Sequence, residues 1–158
     1  MCRWKFFQLE DMKRTMIIEI ICALFIILFV YAALTKLLDY EKFRIQIGQS
    51  PLLTAFAGWI AWIVPVTEFL ISVMLVFARL RLVGLYAAFS LMVMFTTYII
   101  CILTLSLYIP CSCGGVLEKL GWKEHLIFNI VFIILAAVAV LISYRKVKPV
   151  APIFVAQS

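Results

Sequence analysis

Apolar residues occur along this chain in four long runs, at residues 16–38, 52–78, 82–108 and 126–144. A hydrocarbon layer of about 30 Å requires about 20 helical residues, and charged residues are rare within these runs. None of the runs alternates apolar and polar residues at every second position, as the strands of a transmembrane barrel do. The pattern therefore predicts an all-α integral membrane protein built as a four-helix bundle.

Composition restricts the class of protein further. Of the 158 residues, 66% are hydrophobic and only 14% are charged, whereas soluble domains are roughly half apolar and a quarter charged. A soluble domain of this size could not bury so much apolar surface in one core. A soluble enzyme, a disordered tail, a disulfide-rich secreted module and a nucleic-acid-binding protein are therefore excluded, and membrane lipid is the expected surrounding.

Basic residues indicate the orientation. Nine of the 14 Lys and Arg residues lie in the N-terminal segment, the second connection and the C-terminal tail. The other five lie in the first and third connections, when Lys36 at the end of the first run is counted with the first connection. Because basic residues accumulate on the cytoplasmic side, both termini are expected there, N-in and C-in. The chain then divides into a cytoplasmic segment (1–15), a four-span domain (16–144) and a cytoplasmic tail (145–158).

The connection before the last run carries a pair of cysteines, Cys111 and Cys113, between Pro110 and two glycines. Two thiols two positions apart can close a short disulfide or exchange with the disulfide of a partner. On the predicted topology they face the oxidising side of the membrane. The alternatives are a static disulfide, a bridge from either cysteine to Cys101, and a zinc site that adds His125 and Cys101. Redox chemistry is favoured over zinc, and no metal is assigned.

Ionisable residues inside the runs are costly in lipid and so indicate function. Glu68 lies in the middle of the second run, three residues after Pro65. It is expected to face the bundle interior, where it could exchange protons with a quinone or a water-filled cavity, or form an interhelical hydrogen bond. Lys36 and Asp39, three residues apart at the end of the first run, can pair with each other or bind a polar group from the third connection.

The last run begins with two further polar residues. His125 and Asn129 are four residues apart and therefore share one face of a helix. His125 is the only imidazole in the chain, and it could take a proton from an attacking thiol or stabilise a thiolate. The alternative is a helix-start residue at the lipid headgroup boundary.

Three motifs occur in a characteristic order: the run from Tyr31 to Asp39 followed by Phe43, then Pro65-Val-Thr-Glu68, then Pro110-Cys-Ser-Cys-Gly-Gly115. This order resembles the DoxX/MauE superfamily, and in particular its MauE-type redox-associated membrane proteins. The cysteine motif of the family maps onto Cys111 and Cys113, and its helix motifs map onto Lys36, Asp39, Pro65 and Glu68.

The resemblance implies a multi-pass protein of the bacterial inner membrane that acts with a separate thioredoxin-like periplasmic protein. DoxX relatives imply a quinone as electron acceptor. Two hypotheses follow. In the first, the chain is a thiol–disulfide oxidoreductase, or a subunit of one, that uses Cys111 and Cys113, with Glu68 near the quinone. Alternatively, it is a non-catalytic anchor or assembly subunit of a larger membrane complex.

Overall fold

The chain is described here by a computed structural model that covers residues 2–48, 53–105 and 121–147. Within these ranges the regular structure is helical. Five α-helices follow one another, with a short 3₁₀ turn at Thr54–Phe56 before the third: α1 (Cys2–Leu38), α2 (Tyr40–Gly48), α3 (Ala57–Val76), α4 (Arg81–Leu105) and α5 (Trp122–Val147).

Among the residues that the structure describes, four stretches are long and apolar enough to cross a membrane: Met12–Leu38, Thr54–Val76, Arg81–Thr104 and Lys123–Tyr144. They belong to α1, α3, α4 and α5, with α3 extended by the preceding 3₁₀ turn. The prediction of an all-α membrane bundle with four spans is confirmed. An even number of spans places both ends of this unit on the same side of the membrane, and the cytoplasmic assignment of that side stays a prediction.

The first helix begins earlier than the apolar run predicted. It starts at Cys2 rather than at residue 16 and contains 37 residues, a length of about 55 Å at the helical rise per residue. The charged residues before position 16 disfavour the hydrocarbon layer, but Lys, Arg, Glu, Gln and Met are good helix formers. The N-terminal segment is therefore a helical extension of the first span.

The first connection contains a helix that the apolar runs did not predict, because α2 mixes polar and apolar residues. The second helix of the bundle, α3, is also shorter than the run at 52–78. It ends at Val76, and Phe77 has an extended backbone with ψ 116°. At the other boundaries, α5 extends the run at 126–144 in both directions, and the last three residues of the run at 82–108 lie outside the described residues.

The four spanning helices form a ring. The helix α1 packs against α3 and α5, and α4 packs against the same two helices, so that α1 and α4 are diagonal to each other. Sequential spans run in opposite directions. The end of α1, the start of α3, the end of α4 and the start of α5 therefore meet in one half of the bundle, where α2 also packs on α3.

The opposite half of the bundle, called here the packed half, is filled with apolar side chains. Phe25, Leu75 and Leu85 are fully buried there. A Cβ atom on Gly84 would lie only 3.1 Å from Leu75 Cδ2 and 3.2 Å from Met74 Cβ. The absence of a side chain at Gly84 thus lets α3 and α4 approach closely, as small residues do in membrane bundles.

Candidate functional site

The half that contains the end of α1 and the start of α5, called here the cavity half, encloses a cavity of about 430 Å³. All five α-helices contribute to its walls. Most of the lining is aliphatic or aromatic, and it includes the rings of Phe29, Phe43, Phe95 and Phe128. Four of its polar residues are candidate site residues from the sequence: Lys36, Glu68, His125 and Asn129.

Lys36 and Glu68 form an ion pair between α1 and α3. The Lys36 Nζ donates to Glu68 Oε1 at 2.6 Å, and the two side chains are 17% and 1% exposed. The expectation that Glu68 faces the interior with a polar partner on another helix is confirmed. Lys36 pairs with Glu68, which is 32 positions away in the sequence, and not with Asp39. This contact is possible because α3 lies beside α1. An unpaired charge in hydrocarbon has a high free-energy cost, so the ion pair stabilises both charged side chains inside the bundle.

Two aromatic rings flank the ammonium group of Lys36. Its Nζ lies 5.8 Å from the ring centre of Phe43 on α2 and 5.7 Å from that of Phe95 on α4. Both distances fall within the range of cation–π attraction. In the sequence, Phe43 is marked only by its place in the family motif, and Phe95, in an uncharged apolar run, has no distinguishing signal.

Buried side-chain atoms at the cavity that lack a hydrogen-bond partner in the structure include Glu68 Oε2 and Asn129 Nδ2. By contrast, the hydroxyls of Ser72 and Thr96 donate to the carbonyls of Glu68 and Met92, one turn earlier in their helices. Because an unpaired buried polar group costs free energy, such groups are rare unless they have a role. The cavity therefore presents both an unused acceptor, on Glu68, and an unused donor, on Asn129.

The remaining predicted residues of the spans lie around this site. His125 and Asn129 line the same cavity, which confirms that they share a face of α5. His125 is half-buried and lines the cavity together with Lys36. Pro65 is fully buried, and α3 continues through it to reach Glu68. Asp39 lies at the junction of α1 and α2, outside the lining of the large cavity.

Of the three cysteines predicted to take part in the site, the structure describes only Cys101. Cys101 is half-buried on α4, next to the cavity residue Ile102, and no other cysteine in the described ranges forms a disulfide with it. Cys111 and Cys113 lie outside the described residues, so their pairing with each other or with Cys101 stays a prediction. Within the described ranges, no three His, Cys, Asp or Glu side chains are grouped so that they could hold a metal ion.

A comparison with known protein families identifies the family of this chain. The sequence profile described as methylamine utilisation protein MauE matches residues 14–142. The chain belongs to the MauE family. No curated protein matches the chain, and no solved structure does. The MauE match covers nearly all of the four apolar spans, the ion pair and both loop cysteines, so family membership and a multi-pass membrane location rest on most of the bundle.

Proposed function

We propose that this MauE-family protein is a thiol–disulfide redox protein. In this proposal Cys111 and Cys113 exchange electrons with a separate thioredoxin-like protein, and a membrane quinone in the cavity is the second electron carrier. The observation that carries the proposal is the buried pair of Lys36 and Glu68, which lies in an apolar cavity beside His125. Ionisable groups at this depth in a membrane protein are characteristic of proton and electron pathways.

The position of the cavity along the chain supports a link to the cysteines. Ile102, one turn before the end of α4, and His125, in the first turn of α5, both line the cavity. The segment that contains Cys111 and Cys113 joins these two helices in the sequence. Residues within about one turn of its two attachment points therefore line the cavity, and His125 is available to accept or return a thiol proton.

The proposed exchange balances as follows when it oxidises the partner. A thiolate of the partner attacks the Cys111–Cys113 disulfide and forms a mixed disulfide, which the second partner thiol resolves. The partner gains a disulfide, and the pair becomes a dithiol. The dithiol then gives two electrons and two protons to the quinone, which becomes a quinol while the Cys111–Cys113 bond reforms. The opposite direction is the same sequence in reverse.

The location is part of the proposal. A bacterial inner membrane with the cavity half toward the periplasm would expose the cysteines to an oxidising compartment. The excess of basic residues in the N-terminal segment, the second connection and the tail supports this orientation. A relation to DoxX proteins is also part of the proposal, because a quinone is the electron acceptor that this relation implies.

Thiol trapping in intact cells tests the proposed function. The Cys111–Cys113 pair should cycle between reduced and oxidised forms, and block of the respiratory chain should trap it in the reduced form. In one of the two single variants Cys111→Ser and Cys113→Ser, the remaining thiol should attack an oxidised partner and hold it as a mixed disulfide on a non-reducing gel, because the pair has no second thiol left to release the partner. Cys22→Ala, in the packed half, should leave cycling unchanged. A pair that stays oxidised under every condition would contradict the proposal and favour a non-catalytic anchor in a larger complex.

A further inference from the structure

We infer that the cavity binds the hydroxylated, reduced form of its aromatic ligand more tightly than the oxidised form. The ligand class is a quinol, and the two polar anchors are Asn129 Nδ2 and Glu68 Oε2. The inference rests on the proposed function for the choice of a quinone couple. The preference itself follows from the donor and acceptor groups that the cavity presents.

The size and the walls of the cavity favour an apolar ring over water. Its volume of about 430 Å³ lies within the range of small-molecule sites and far exceeds the roughly 30 Å³ of one water molecule. Two lining residues in the middle of the spans, Ile63 on α3 and Met94 on α4, are 53% and 54% exposed. The cavity thus borders the lipid-facing surface, from which a membrane-dissolved ligand can enter.

The unpaired atoms define the polar group of the ligand. Asn129 Nδ2 carries N–H donors and requires an acceptor. Glu68 is ion-paired through Oε1 with Lys36, so its Oε2 is a carboxylate oxygen that can only accept. A ligand that satisfies both atoms must offer an acceptor and a donor, and a hydroxyl group is both.

The two forms of a quinone differ in this respect. A quinone carbonyl can accept from Asn129, but it has no hydrogen to donate to Glu68. The quinol, formed from the quinone by two electrons and two protons, can do both. Tighter binding of the quinol makes the bound quinone a stronger oxidant, which favours electron transfer from the Cys111–Cys113 dithiol.

Equilibrium binding of decylubiquinol and decylubiquinone tests the inference. The full-length chain with Cys111→Ser and Cys113→Ser, in quinone-free nanodiscs, cannot turn over either probe, so the result does not depend on thiol chemistry. One additional hydrogen bond to a carboxylate should give the quinol about tenfold higher affinity. Asn129→Leu should lower the affinity for both forms about tenfold, and Thr96→Val, a buried substitution outside the cavity, should leave both unchanged.

Glu68→Gln sharpens the test, because its side-chain amide can also donate to a quinone carbonyl. This variant should lose the preference for the quinol. Equal affinities for the two probes in the parent chain would overturn the inference, as would an Asn129→Leu variant that binds as the parent does or a failure of both probes to bind. Equal affinities of the two probes together with normal thiol cycling would remove only the inference. Normal binding with no thiol cycling would remove the proposed function.

Discussion

The packed half and the cavity half are built from the same four spanning helices, yet their interiors differ. In the packed half, Phe25, Leu75 and Leu85 are fully buried, and Gly84 brings two helices close together. In the cavity half, an ion pair and the unpaired polar atoms of Glu68 and Asn129 lie in the wall of a cavity of about 430 Å³. Similarly apolar spans therefore produce two different interiors.

The difference indicates how the bundle separates stability from function. In lipid, helix association depends on close packing and satisfied hydrogen bonds more than on removal of apolar surface from water. The packed half provides that contact. The cavity half has less of this close packing and contains buried charges, which are costly in a membrane and therefore indicate a function. We therefore expect stability to be most sensitive to packing in one half and to charge in the other.

The largest effect is expected from breaking the ion pair. Glu68→Ala should lower the free energy of unfolding by about 3–5 kcal/mol, because Lys36 would keep a charge in an apolar site without its partner. The double variant Lys36→Met/Glu68→Leu should recover most of that loss. Denaturant titration in mixed micelles, followed by circular dichroism, measures both values. Equal losses in the single and double variants would show that charge is not what matters at this position.

A smaller effect is expected from a leucine-to-alanine substitution, which should lower the free energy of unfolding by different amounts in the two halves. Leu75→Ala, in the packed half, should cost about 2 kcal/mol, the lower end of the range for buried leucines, because lipid is as apolar as the leucine that is lost. Leu53→Ala, at the wall of the cavity, should cost less than half as much, since Leu53 is only partly buried. The comparison fails if the two losses, measured by the same titration, are equal.

The smallest effect is expected at two glycines. Gly84→Ala should destabilise the bundle by about 1 kcal/mol, because the new Cβ crowds α3 at 3.1 Å from Leu75. At Gly58, near the start of α3, a Cβ would meet nothing within 4 Å. Gly58→Ala should therefore stabilise its helix by about 0.5–1 kcal/mol through propensity alone. Thermal unfolding of the two variants should shift in opposite directions, and shifts of the same sign would contradict the packing described here.

The sequence predicts the number and identity of the spans because hydropathy reports directly which residues the bilayer accepts. It does not predict the helical segment before residue 16 or α2, since apolar runs report transfer into lipid and not backbone hydrogen bonding. Both segments carry charged residues that restrict their depth in the membrane without preventing a helix.

The candidate site is only partly predictable for a related reason. The cost of a buried carboxyl identified Glu68, and helical spacing placed His125 and Asn129 on one face. The partner of Lys36 was not predictable, because spacing along one helix offered Asp39 while the actual contact depends on α3 lying beside α1. Phe95 reaches the ammonium from the diagonal helix, a position that no local pattern encodes.

The most direct test of the central claim is the redox state of Cys111 and Cys113 in membranes that contain a quinone but lack the ion pair. The double variant Lys36→Met/Glu68→Leu should remain folded and, after reduction, its cysteine pair should stay reduced when quinone is added. The parent chain and the Thr96→Val variant should return to the disulfide. Reoxidation of the double variant at the parental rate would contradict the claim that the cavity half couples the thiols to a membrane quinone.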